Sequence, residues 1–187
     1  YANCIKDDKL FEIVGAYEFK YLAVTYNDIY ELNAANEAML QKQAETDPLT
    51  GLINRRALDR QLALLKNSKK PVALLLVDVD KFKTINDAYG HAVGDQVLKK
   101  VAGLLSQSFR STDQPARIGG DEFAVLLMGT TYQQREGIRQ KVEEINRRLQ
   151  DPDDGLPPVS LSVGGAFSRQ GYVDALYHQA DEALYRV

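Results

Sequence analysis

A sheet packed by helices, of α/β or α+β class, behind a helical arm is the fold this sequence predicts, on three observations. Short apolar runs of strand length alternate with segments of helical period from residue 47 onward. Residues 17–46 contain neither Pro nor Gly. Asp47-Pro48 separates the two regions, because the residue before a proline is pushed out of the helical conformation.

The arm comes first. Leu22, Thr25, Ile29, Leu32, Asn36, Met39, Gln43 and Thr46 recur at alternating three- and four-residue steps, apolar in the middle and polar toward the end. Such a seam, with Asn36 at an a-like position, suits a parallel coiled coil with a second copy of the chain; docking on its own domain is the alternative. Residues 1–46 hold four Lys and no Arg against eight acidic residues, whereas the remainder carries 19 basic and 18 acidic residues. The acidity therefore belongs to the arm.

Past Asp47, Ala57, Leu58, Leu62 and Leu65 describe one helix face, and "PVALLLVDVD" reads as a buried strand ending in two acids. Val97, Leu98, Val101, Leu104 and Leu105 mark a second helix, and "EFAVLLM" at 122–128 a second strand. Ile138, Val142, Ile145 and Leu149 predict a third helix before the loop "DPDDGLPP". Val159, Leu161, Val163 and Gly165 alternate as in a half-buried strand, and Leu176, Ala180, Ala183, Leu184 and Val187 close the chain at helical spacing.

Composition narrows the functional classes. With 187 residues, 44% hydrophobic and 26% charged, the chain is globular, neither disordered nor collagen-like. A net charge of -3 offers no basic surplus for DNA or RNA, so no nucleic-acid partner is expected. The single cysteine, Cys4, cannot form an intrachain disulfide, and no Cys/His cluster has zinc-site spacing; a reducing, cytoplasmic setting is the expectation. No apolar run approaches the roughly 20 residues of a membrane helix. The sequence opens without Met, as a piece of a longer protein would, and an upstream sensor or membrane segment in the parent is part of the expectation.

Three clusters carry chemistry. Asp78 and Asp80 lie two apart after six apolar residues, so in a strand both face one way, where charge is costly unless a cation or donors compensate. Carboxylates of this kind suit Mg²⁺ or Mn²⁺, completed by phosphate oxygens and water; a strand end capping the next turn is the plainer reading. Gly119-Gly120-Asp121-Glu122 opens the second apolar strand, where two glycines permit a tight turn and close approach of a ligand. If the two strands are neighbours, Asp78 and Asp121 converge on one cation able to polarise a phosphate; otherwise this is a hairpin with a polar tip. Between them, Lys81, Lys83, Asn86, His91 and Asp95 combine phosphate-seeking cations with an amide and a carboxylate suited to a guanine edge. Helix capping by Asp95, a turn at Asn86 and loop packing of His91 are the structural alternatives.

Taken together, "DPLTGLINRR" (47–56), "DVDKFKTINDAYGHAVGD" (78–95), "RIGGDEF" (117–123), "LSVGGA" (161–166) and "ADEALY" (180–185) resemble, in order and spacing, the motifs of the GGDEF-domain diguanylate cyclases. The resemblance runs from Asp47 to the end and implies an α+β fold, a central mostly antiparallel sheet flanked by helices, similar to the palm of polymerases and nucleotidyl cyclases. It implies condensation of two GTP into cyclic di-GMP with release of two pyrophosphates, on a homodimer with one GTP per domain. Residue by residue, Asp78, the Val79 carbonyl and Asp121 correspond to metal ligands for Mg²⁺ or Mn²⁺. The backbone around Lys81 and Phe82 would hold phosphates, and Lys83 would stabilise transition-state charge. Asn86 and Asp95 would read guanine with His91 close by, and Asp121 or Glu122 would take the proton of the attacking 3′-hydroxyl. Arg110-Ser-Thr-Asp113 is similar to the family's RxxD inhibitory site for cyclic di-GMP; a surface Arg–Asp pair is the alternative. The family's pattern continues past "ALY" with a Lys and an Arg at terminal phosphates, and this sequence stops at Val187 before them. A catalytically silent receptor for GTP or cyclic di-GMP, and a cyclase of mixed purine dinucleotides, are the competing functions.

Overall fold

The computed structural model describes residues 17–66, 68–151 and 153–186, so the expectations placed on Cys4 and Val187 lie outside it. The described chain divides between Ala44 and Glu45 into two compact units. The first contributes one helix, α1 (Tyr17–Glu45), uninterrupted by Pro or Gly. Its seam residues Leu22, Ile29, Leu32 and Met39 are each more than half exposed, and the Gln43 side chain lies outside the described residues. No helix among the described residues is long and apolar enough to cross a membrane.

The second unit is built on a five-stranded sheet ordered β1 (Ile53–Asn54), β3 (Gln114–Arg117), β4 (Glu122–Met128), β2 (Val72–Val79), β5 (Leu161–Ser168). Only the short β1–β3 contact is parallel, and the other three pairings are antiparallel. This is the mostly antiparallel α+β sheet that the resemblance implies. The helices are α2 (Arg55–Leu65), α3 (Phe82–Tyr89), α4 (His91–Ser108), α5 (Arg135–Gln150) and α6 (Asp174–Leu184).

Strand β2 explains the layering. Its six residues Val72 to Val77 are all buried because both faces are covered, which is why the sequence shows a continuous apolar run instead of alternation. Leu74 and Leu76 join Leu58 and Leu62 of α2 and Leu176 and Ala180 of α6 in one core. Leu75 and Val77 join Val97, Leu98 and Val101 of α4 and Ile145 and Leu149 of α5 in the other. At roughly 2 kcal/mol for each fully buried aliphatic side chain, these two cores fix β2 as the rigid centre of the sheet.

The segment 81–95 departs from the sequence reading. It is not a loop leading into one helix but two helices, α3 and α4, meeting at Gly90, whose φ of 84° only glycine adopts readily. The Gly119-Gly120 turn is tight, closed by the Ile118 and Gly119 N–H groups donating to the Glu122 carbonyl, without a positive φ at either glycine. A Cβ on Gly119 would instead stand 2.5 Å from Glu122 Oε2, so this glycine makes room for the acid's folded-back side chain.

Candidate active site

Antiparallel pairing of β2 and β4 sets the acidic end of the sheet. Asp78 is the cross-strand partner of Glu122, and the Val79 N–H donates to the Asp121 carbonyl at 3.2 Å. The two acidic motifs, more than forty residues apart in sequence, are thus neighbours at one end of the central strands. Burial, and then the charges of Asp121, Glu122 and Asp80 in that order, push the Asp78 carboxyl above its ordinary pKa. Among the described residues no group of three or more His, Cys, Asp or Glu is placed to enclose a metal ion. Two carboxylates that repel one another, with a backbone carbonyl and open access for phosphate and water, are the donor set that Mg²⁺ accepts.

The expected equivalence of Asp78 and Asp80 does not hold. Asp80 lies just beyond β2, and both of its carboxylate oxygens are taken: Ser160 Oγ donates to Oδ2, and Ser162 Oγ to Oδ1 at 2.7 Å. Lys81 follows with φ 55°, the one left-handed non-glycine among the described residues, and starts α3 without a side-chain cap. Lys81 and Lys83 are exposed, and Phe82 is half-buried against the core. A hollow of about 700 Å³ opens beside this turn, lined by Asp78, Asp80, Lys81, Thr84, Tyr89 and Ser160, among others.

Asn86, His91 and Asp95 do not line that hollow. Asn86 and Phe82 lie against Gly94: a Cβ there would fall 2.0 Å from Asn86 Oδ1 and 3.2 Å from Phe82 Cζ. The close approach of α3 to α4 at Gly94 brings Asn86 beside the residue preceding Asp95. Both Asp95 and His91 are exposed on the first turns of α4. The clash in a Gly94→Ala variant falls on the movable end of a side chain, and Ala favours a helix by up to about 1 kcal/mol over Gly. Its melting temperature should therefore hold while the Asn86 amide is displaced. A thermal melt and the NMR shift of the Asn86 side-chain amide check the two outcomes.

Arg110 and Asp113 sit between α4 and β3, beside a hollow of about 240 Å³ shared with Phe109, Gln134 and Lys141. They are not a surface ion pair. Asp113 is buried and uses its carboxylate to accept the Arg110 N–H at 3.0 Å and the Met128 N–H at 3.3 Å, leaving the Arg110 side chain exposed. The acid therefore shapes the turn that presents the arginine.

Sequence reasoning missed Arg117. Its Nη1 donates to both Asp47 oxygens, at 3.1 and 3.2 Å, and its Nη2 and Nε to the Gly120 carbonyl at 2.7 and 3.2 Å. The guanidinium fork thus ties the start of the second unit to the glycine before Asp121. "DPLT" and "RIGGDEF" both stand out as motifs in the sequence, but only the fold pairs them.

A mostly antiparallel α+β sheet with two acidic strand ends opposed on its central strands defines the class of domain. The comparisons make it particular: the family described as "Diguanylate cyclase, GGDEF domain" matches residues 44–187, and the chain belongs to that family. It is 35% identical over 149 residues to the probable diguanylate cyclase DgcT of Escherichia coli K12, covering 76% of this chain and 33% of that protein. It is 37% identical over 160 residues to the diguanylate cyclase DgcS of Shewanella oneidensis, covering 83% of this chain and 53% of that protein. The chain thus spans between a third and about half of the length of these relatives. The crystal structure of the coiled coil and GGDEF domain of DgcB from Caulobacter crescentus, in complex with c-di-GMP, superposes with a TM-score of 0.73 at 27% identity. That match covers 88% of this chain and 91% of the other.

Proposed function

We propose that this chain is a diguanylate cyclase that joins two GTP into cyclic di-GMP and releases two pyrophosphates. The observation that carries the reading is the cross-strand opposition of Asp78 to Glu122, with Asp121 joined through its carbonyl to the Val79 N–H. Asp78, Asp121 and the Val79 carbonyl would hold Mg²⁺ or Mn²⁺. When bound, the ion supplies positive charge to the phosphate oxygens and polarises the phosphorus centre.

The remaining work falls to the chain's own groups. The first N–H groups of a helix have no intrahelical partner, and no side chain caps α3, so the backbone at Phe82 and Lys83 is free to receive terminal phosphates. Lys81 and Lys83 add charge there, Lys83 at the stage where negative charge grows on the phosphate. Asn86 and Asp95 read guanine, the carboxylate accepting from N1–H and the exocyclic amine, which adenine cannot supply; His91 stands next to the nucleotide. Asp121 or Glu122 takes the proton of the 3′-hydroxyl.

One domain holds one GTP, so the 3′-hydroxyl must come from a second domain. The exposed seam of α1, with Leu22, Ile29, Leu32 and Met39, supports a parallel pairing of two arms that raises the effective concentration of the partner. The division of the chain into an arm and a cyclase domain from Asp47, and a cytoplasmic setting, belong to the same reading.

Incubation with GTP, ATP and Mg²⁺, with products identified by mass, tests it. Cyclic di-GMP and pyrophosphate from GTP alone are expected. No dinucleotide would favour a silent receptor, and a product containing adenine a mixed-purine cyclase.

The exposed Arg110 beside its Asp113-braced turn supports binding of cyclic di-GMP as a feedback inhibitor. Arg110→Ala should raise the product concentration for half-inhibition at least tenfold without changing the initial rate, read by inhibition titration.

A further inference from the structure

We propose that Asp80 is a positioning residue: with Ser160 and Ser162 it locks the left-handed Lys81 turn so that the N–H groups of Phe82 and Lys83 receive a nucleotide triphosphate. The inference rests on the nucleotide reading above and assigns to that site three residues so far without a role.

The geometry is specific. The Asp80 N–H donates to the Ser160 carbonyl at 3.0 Å while the carboxylate accepts from both serine hydroxyls, so three hydrogen bonds fasten one residue to the start of β5. That end of β5 is itself fixed. Asn146 of α5 accepts the Leu161 N–H at 2.7 Å and donates to the Leu161 carbonyl at 3.0 Å, between the two serines. Asp80 is thus anchored to a strand held on one side by β2 and on the other by α5.

The residue that follows is the one that needs holding. A non-glycine residue in the left-handed region is disfavoured and persists only where its surroundings impose it. Lys81 has no cap, and its side chain is exposed; the constraint comes from the clamped residue before it. Freed from the clamp, Lys81 would relax toward ordinary φ and turn the first N–H groups of α3 away from the phosphates.

The test uses the full chain, a non-reactive GTP analogue and guanosine monophosphate, both titrated in Mg²⁺ and followed by NMR. The Ser160→Ala/Ser162→Ala double variant should bind the triphosphate at least tenfold more weakly while its affinity for the monophosphate holds; the latter also reports that the variant is folded. Ser162→Ala alone should show a smaller loss of the same kind, which keeps the test available if the double variant does not fold. Restoring the hydroxyl with Ser162→Thr should recover the parent value. Either variant binding the triphosphate as the parent does, or losing both ligands equally, would overturn the positioning role. A parent chain that does not prefer triphosphate to monophosphate would overturn the nucleotide reading itself, and the inference with it.

Discussion

Asp78→Asn is expected to lower cyclic di-GMP formation by about 10³-fold or more and, in the nucleotide-free protein at neutral pH, to raise the melting temperature by a few degrees. The two effects share one cause. Burial and the neighbouring Asp121, Glu122 and Asp80 raise the Asp78 pKa in the folded state. A carboxyl with a raised folded pKa keeps its proton longer when folded than when unfolded. Its contribution to stability is therefore undiminished in acid and falls as pH climbs from the ordinary carboxylate range through the raised value. At neutral pH the ionised group strains the fold, and the neutral amide relieves it while removing the charge that a phosphate-bound cation needs. Thermal unfolding and steady-state turnover, measured side by side, check this. A variant that melts below the parent, or turns over GTP at the parental rate, would contradict it.

Arg117→Ala is expected to have the largest effect on stability, about 3 kcal/mol or a fall in melting temperature of roughly 10 °C, with loss of turnover. The side chains of Arg117 and Asp47 are only 14% and 18% exposed, so truncation leaves the Asp47 carboxylate without its cation and the Gly120 carbonyl without its guanidinium donors. Burial alone would push the Asp47 pKa up. Hydrogen bonds from the Thr50 hydroxyl and N–H, together with Arg117, outweigh it and hold the group below its ordinary value. The stabilisation from Asp47 is thus present above the ordinary carboxylate range and lost as pH falls through the lowered value. The variant should unfold less steeply with acid than the parent. Arg117→Lys should recover little, since one ammonium cannot span Asp47 and Gly120 together. Parental melting and turnover in Arg117→Ala would defeat the assignment.

The residues with strong apolar period were legible. The faces read for α2 and α4 are the ones buried; those read for α5 and α6 are buried at Ile145, Leu149, Leu176 and Ala180 and half-buried at Ile138, Val142, Ala183 and Leu184; β2 and β4 stand where their apolar runs stand. The short elements were not. Helix α3 is eight residues long with only Ile85 fully buried, so its period is hidden among lysines, Asn86 and Asp87. Strand β3 reads Gln-Pro-Ala-Arg with Ala116 alone buried, and it exists because β4 and β1 flank it. The acidic identities of the site were equally plain, but their relations are non-local. Opposition of Asp78 to Glu122 needs the β2–β4 register, and the serines that claim Asp80 lie some eighty residues away. Sequence spacing made Asp78 and Asp80 look alike; tertiary hydrogen bonding makes one free and one bound.

Whether Asp78 and Asp121 jointly grip a divalent ion on a guanosine triphosphate is best decided by titrating Mn²⁺ into the chain in the presence of a non-reactive GTP analogue, followed by electron paramagnetic resonance. Tight Mn²⁺ sites in the parent, weakened together in Asp78→Asn and in Asp121→Asn, are the predicted result. Equal Mn²⁺ binding in the parent and both variants would contradict it.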